Sequence, residues 1–325
     1  MLLDFTKEIE LPKVDQSWQH EIIDFILEFV ENEIITVNTS GSTGKPKSIE
    51  LPKSAMIQSA QMTGEFLGLK HGDSALLCMP VKYIAGKMMI VRAIELGLKL
   101  YCVEPKTKIE FNQEINFGAL TPMQAEASFF NSDSTLKIDK VILGGAKVST
   151  ELEKKFRYYD GQVYETYGMT ETITHIAMRE LNQDAYFKTL KNVEIGQDDR
   201  SCLVIKTPYF DEEIITNDVV EIINETSFKL VGRVDNIINS GGIKVNPETF
   251  EDKLKLYIST PFVIHYKEDR VLGQKLVLVV ESKEAFEINY PSDLIPRNQQ
   301  PKEIIFVDEF PRTISGKIIR KKIKL

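Results

Sequence analysis

The chain has 325 residues, 42% of them hydrophobic and 9% aromatic, with a formal net charge of −8. That length favours two domains, the composition suits a packed globular core, and an acidic balance spread through the chain argues against a nucleic-acid binder. Three scattered cysteines without a Cys-x-x-Cys pair argue against a disulfide framework or a zinc site, and no signal peptide or membrane-length apolar run is visible, so a reduced cytoplasm is expected.

Residues 1–16 read as an irregular start, and the apolar stripe Trp18, Ile22, Phe25, Ile26, Phe29 then predicts a helix. Two strands, Ile34–Asn38 and Ser48–Leu51, flank the stretch Thr39-Ser40-Gly41-Ser42-Thr43-Gly44-Lys45-Pro46-Lys47. Its glycines let backbone N–H groups turn toward an anion, while hydroxyls and two lysines add donors and charge. Only two residues separate Gly41 from Gly44-Lys45, and Pro46 follows, so this is not a Walker A loop.

Helices are expected over Ser54–Leu67 and Ile84–Leu96, the latter stopped by Gly97, with short strands at Ala75–Met79 and Leu98–Val103. Strands Phe117–Leu120 and Val141–Leu143 follow, with a helix from Pro122 between them and another from Thr150, whose Thr150 and Glu153 fit a capping box. This alternation predicts an α/β domain with a mainly parallel sheet. After about residue 200 short strands and turns take over, and a small α+β domain is expected from Asp235, giving domains 1–234 and 235–325.

Six stretches stand out, in chain order. They are the loop Thr39–Lys47, Gly144-Gly145-Ala146, Tyr167-Gly168-Met169-Thr170-Glu171, Thr216-Asn217-Asp218, and Gly232-Arg233-Val234-Asp235 with Pro311-Arg-Thr-Ile-Ser-Gly-Lys317 beyond it. In this order they resemble the signatures of the acyl-adenylate-forming superfamily, which holds acyl-CoA synthetases, peptide-synthetase adenylation domains and luciferases. Departures are Ser48, where Gly is usual, and Asn217, which replaces the glycine of Thr-Gly-Asp and is expected to matter little because Asn tolerates left-handed backbone.

The resemblance implies roles. The loop Thr39–Lys47 would hold ATP phosphates. Gly144, Gly145 and Ala146 would form a small-residue wall beside adenine, with Tyr167 and Gly168 against it. Thr170 would reach the α-phosphate, Glu171 would hold Mg²⁺, and Asp218 would receive the ribose hydroxyls. Arg233 would contact the nucleotide, Asp235 would be the hinge of a mobile C-terminal domain, and Lys317 would be catalytic.

The Gly-rich loop comes 38 residues in, so the region that usually precedes it is expected to be truncated. Among superfamily members this is similar to a short o-succinylbenzoate–CoA ligase of menaquinone biosynthesis, implying ATP, Mg²⁺ and coenzyme A. Met79–Gly86 occupies the place of the acid-pocket motif, with Tyr83 where many relatives have His, and Gly86 closing it. Lys82, Lys87 and Arg92 lie in or just after it as candidate partners for a second substrate carboxylate. Rival readings are activation of another aryl or fatty acid, transfer to a carrier-protein thiol, and a non-catalytic relic, which Glu171, Asp218 and Lys317 argue against. A homo-oligomer stays open.

Overall fold

The computed structural model describes residues 1–38, 48–131, 133–312 and 318–325. It divides into two compact units: 1–195 with 205–214 and 224–227, and 196–204 with 215–223 and 228–325.

In the first unit the elements are β1 (Leu2–Asp4), α1 (Ser17–Glu31), β2 (Ile34–Asn38), β3 (Ser48–Pro52), α2 (Lys53–Leu67), β4 (Ser74–Leu77), α3 (Ile84–Leu96), β5 (Lys99–Cys102), β6 (Glu114–Leu120), α4 (Pro122–Phe129), β7 (Lys137–Leu143), α5 (Thr150–Lys155), β8 (Gln162–Gly168), β9 (His175–Glu180) and β10 (Phe187–Thr189). Their main sheet runs β1-β5-β4-β6-β7-β8-β9-β10. The centre, β5-β4-β6-β7-β8, is parallel, as the strand–helix alternation predicts. Its flanks are antiparallel: β1 on β5, and β9 and β10 beyond β8. The sheet is therefore mixed, with a parallel core.

The apolar runs of the central strands are buried on both faces, which is the pattern a helix-covered parallel sheet demands. Leu76, Leu120, Val141, Leu143 and Val163 join Leu152 and Phe156 in one cluster. Residues 1–16 are not wholly irregular. Leu3 is buried and β1 pairs with β5, an edge strand too short to show a period in the sequence. The capping box also differs. Ser149, not Thr150, caps α5 by accepting from the Leu152 amide at 3.1 Å, and Glu153 is drawn away to Arg179.

In the second unit β11 (Glu194–Gln197), β12 (Cys202–Lys206), β13 (Ile214–Asn224) and β14 (Ser227–Arg233) follow the order β14-β13-β12-β11. Some residues at the ends of these strands belong to the first unit. A second sheet holds β15 (Ile238–Ser240), β16 (Ile243–Val245), β17 (Phe262–Asp269), β18 (Gly273–Glu281) and β19 (Glu303–Val307), with α6 (Pro247–Leu254) packed on β17. Glu251 of α6 is buried, accepts from the Ile264 amide at 2.6 Å and pairs with Arg320, whose guanidinium also donates to the Ile264 carbonyl.

That pair fixes the helix to the sheet through two charges held from water. Arg320→Ala would strand the Glu251 carboxylate, and a loss of about 3–5 kcal/mol is expected. Urea denaturation and amide exchange at Ile264 check this: the midpoint should fall and that amide should lose protection.

Candidate active site

The phosphate loop expected at Thr39, Ser40, Gly41, Ser42, Thr43, Gly44 and Lys47 lies outside the described residues, as does Lys317. The loop's flanks are as expected. β2 and β3 pair antiparallel from Ile34↔Pro52 to Asn38↔Ser48, so the loop connects the ends of a hairpin.

The segment Tyr167–His175 folds back on itself. Tyr167 ends its buried strand with its ring edge-on to Phe187 at 6.0 Å. A Cβ on Gly168 would lie 2.3 Å from the Thr174 carbonyl oxygen and 2.4 Å from the His175 Cα, so only glycine fits where the chain doubles back. The reversal closes through Ile173, which has φ 65° and ψ −60°, while the Thr174 amide donates to the Thr172 carbonyl at 2.7 Å. This is a γ-turn of the rare strained kind, and a β-branched residue there costs on the order of 1–3 kcal/mol. Complete burial of the Ile173 side chain holds it, together with the Thr172 hydroxyl, which accepts from the Met169 amide at 3.0 Å and donates its one proton to the Thr174 carbonyl at 2.7 Å. One result is that Glu171 is exposed on a single 3₁₀ turn, Thr170–Thr172, and pairs with no cationic side chain among the described residues.

The wall Gly144-Gly145-Ala146 follows β7 as bare backbone, with Gly145 at φ 83°. Two polar ties set it against β8. The Thr166 hydroxyl donates to the Leu143 carbonyl at 3.0 Å, and the buried Glu165 accepts from the Val148 amide at 2.8 Å. Arg179 donates to Glu165 at 2.9 Å and through both terminal nitrogens to Glu153. Burial works against the charge on Glu153, yet the Arg179 hydrogen bonds hold its carboxyl below the usual range. Sequence reading missed this trio. Its one visible signal is a glutamate directly after the apolar pair Val163 and Tyr164.

The acid-pocket candidates separate. Lys82 lies over the Tyr83 ring at 5.1 Å. Lys87 is paired with Glu28 at 3.1 Å and sits 4.0 Å over the Phe25 ring, which ties α3 to α1. Gly86 allows α3 to start against Pro80, whose carbonyl oxygen a Cβ there would meet at 2.4 Å. Arg92 is different. It is 2% exposed, and its guanidinium donates to the Thr174 hydroxyl at 3.2 Å and the Met89 sulfur at 3.8 Å. Its Nε has no partner and no carboxylate pairs with it among the described residues. Burial pushes the guanidinium down to about 9, so it stays charged at neutral pH. His175, also missed from the sequence, is buried beside it with Nε2 3.0 Å from the Thr63 hydroxyl.

In the second unit Asp218 and Asp235 share one cation: Arg233 donates to Asp218 at 2.8 Å and to Asp235 at 3.0 Å. Asn217 lies within β13 and its φ is not positive, so the left-handed tolerance expected of it is not used. The Asn217 amide oxygen instead accepts from Arg200 at 2.9 Å.

Residues 29–197 match the family model described as AMP-binding enzyme. A 2-succinylbenzoate–CoA ligase of Lactococcus lactis is 25% identical over 90% of this chain and 71% of its own. The crystal structure of an acyl-CoA synthetase (AMP-forming)/AMP-acid ligase II-like protein from Dyadobacter fermentans is 33% identical, covers 96% of this chain and 94% of its own, and superposes with a TM-score of 0.66. The o-succinylbenzoate CoA synthetase of Bacillus subtilis in complex with its acyl-adenylate intermediate shares the fold at a TM-score of 0.73, with 19% identity over 88% of this chain and 68% of its own.

The close approach at Gly168 makes a sharp test. Gly168→Ala must open the contact with Thr174 and His175, so its melting temperature should fall and its affinity for AMP should drop at least about tenfold, as for other overpacked positions. Gly196→Ala, where a Cβ meets nothing within 4 Å, is the control and should keep both. Calorimetric titration with AMP reads the difference.

Proposed function

Because this chain belongs to the AMP-binding enzyme family, we propose that it is an ATP-dependent acid–CoA ligase whose acid carries a second carboxylate, with o-succinylbenzoate as the substrate. One observation carries the choice of acid: Arg92, a buried cation for which no counter-charge exists among the described residues. An unpaired buried charge costs several kcal/mol, and an anionic guest removes that cost. Relatives named for 2-succinylbenzoate support the same acid.

The reaction has two steps. The acid's reacting carboxylate attacks the α-phosphorus of ATP, releasing pyrophosphate and leaving an acyl-adenylate. The thiol of coenzyme A then attacks the acyl carbon, and AMP leaves. Thr39–Lys47 grip the phosphates, Gly144–Ala146 and Tyr167-Gly168 take the adenine, and Thr170 meets the α-phosphate. Asp218 accepts from the ribose hydroxyls, with Arg233 holding its carboxylate in place. The exposed Glu171 carboxylate suits a hard cation, and Mg²⁺ bound there would screen the phosphate charge. Lys317 neutralises the charge that builds as carboxylate meets phosphate. Asp235 is the hinge about which the C-terminal domain turns between the steps.

Release of AMP from a panel of acids, with and without coenzyme A, tests the assignment. Turnover of o-succinylbenzoate that needs coenzyme A is expected, and preference for a simple fatty acid would reject it. Arg92→Gln should raise KM for o-succinylbenzoate roughly 10- to 100-fold, the value of a charged hydrogen bond of about 1.5–3 kcal/mol. Lys82→Ala should leave that KM near wild type, since its ammonium already rests on Tyr83.

The half-reactions separate the other roles. Lys317→Ala should lower adenylate formation by about 10²–10³-fold, in the range of a lost transition-state donor. Thioester formation from presynthesised acyl-adenylate should persist. Pyrophosphate exchange and a thioester assay measure the two, and equal loss in both would remove Lys317 from the adenylation step.

A further inference from the structure

Arg92 leads into a line of hydrogen bonds that crosses three elements. From α3 its guanidinium donates to the Thr174 hydroxyl at 3.2 Å. That hydroxyl lies 3.3 Å from His175 Nδ1 at the start of β9. His175 Nε2 is 3.0 Å from the Thr63 hydroxyl on α2, and Thr63 in turn donates to the Ser59 carbonyl at 3.0 Å.

The last bond sets the direction of all the others. A hydroxyl has one proton, and that of Thr63 goes to the Ser59 carbonyl, so its oxygen must accept from His175 Nε2–H. His175 Nδ1 then carries no proton and accepts from the Thr174 hydroxyl. With its proton turned to the ring, the Thr174 oxygen offers a lone pair to Arg92. A charged ring would reverse this, placing an Nδ1 proton against the oxygen that Arg92 already uses. Burial, and after it the Arg92 charge, holds His175 well below its ordinary range.

We infer that His175 is a positioning residue for acid selectivity: as the neutral Nε2–H tautomer it aims the Thr174 hydroxyl, and through it the Arg92 guanidinium, at the second carboxylate of the substrate. This rests on the reading of Arg92 as that carboxylate's partner. The role belongs to selection and not to bond making, because His175 is buried and both its ring nitrogens are engaged, by Thr63 and Thr174. It also gives the strained turn at Ile173 a purpose, since that turn delivers Thr174 and His175 side by side.

The test compares o-succinylbenzoate with 4-oxo-4-phenylbutanoate, the same acid without the ring carboxylate. His175→Leu should raise KM for the diacid about five- to tenfold, the loss of one aimed hydrogen bond, and KM for the monoacid less than about twofold. Thr174→Val should reproduce that split. His175→Gln, which keeps a donor and an acceptor, should recover part of the diacid KM. Combining His175→Leu with Arg92→Gln should add nothing to Arg92→Gln alone. Equal rises for both acids, or full additivity in the double variant, would overturn the positioning role while leaving Arg92 as the carboxylate's partner. Unchanged diacid KM in Arg92→Gln would overturn the underlying reading, and this proposal with it. Nitrogen-15 NMR of the wild-type ring is independent of any variant's folding. An Nε2–H signal constant from pH 6 to 8 is expected, and a ring that charges in that range, or carries its proton on Nδ1, overturns the proposal.

Discussion

The reversal of the chain between Tyr167 and His175 is the constraint on which the site depends. Gly168 must lie against the Thr174 carbonyl and the His175 backbone, a distance no side chain permits. Once that contact exists, the rest follows from chain length. Tyr167 stays with its strand, Glu171 is left exposed on its 3₁₀ turn, and Thr174 and His175 enter the next strand facing α2 and α3. Ile173 absorbs the mismatch at a positive φ, and its buried side chain supplies the hydrophobic energy that keeps it there. A strained residue persists only where its surroundings over-determine it.

A second set of bonds makes the reversal useful. The Gly144–Ala146 segment has no side chains with which to hold itself, so its position must come from neighbours. Thr166 and Glu165 supply it from successive positions of β8, and Arg179 on β9 holds Glu165 while fastening Glu153 of α5. The bare wall and the strand that leads to Tyr167 are thereby one rigid piece. Such a network is strong because every member is satisfied, and losing one would leave buried charge unpaired.

How much of this was legible in the sequence follows the range of the interactions. The central strands and α1 to α4 were readable, because their apolar periods, starts and stops are local: Gly97 stops α3 with φ 63°, and Pro122 opens α4. The antiparallel flanks were not, since β1 is three residues long and owes its place to β5, a hundred positions away. Motifs singled out Tyr167, Gly168 and Glu171, whose spacing is fixed by the backbone. They could not rank Lys82, Lys87 and Arg92, because that ranking depends on Glu28 from another helix. Nor could they reveal Glu165 or His175, whose partners lie 14 and 112 positions away.

The ranking has an energetic consequence. Lys87 has its counter-charge within the fold, so a guest anion would have to compete with Glu28 and gain little. Arg92 has none among the described residues, so the cost of removing it from water falls on folding and is already met before any acid arrives. On the proposed reading a diacid would receive a desolvated, aimed guanidinium at no further expense of ordering, which is how preorganisation turns a modest contact into affinity. An acid lacking the second carboxylate leaves the cation as unpaired as it was. On that reading selectivity would reside in a destabilising feature of the free protein, which is where a trade between stability and function is expected to appear.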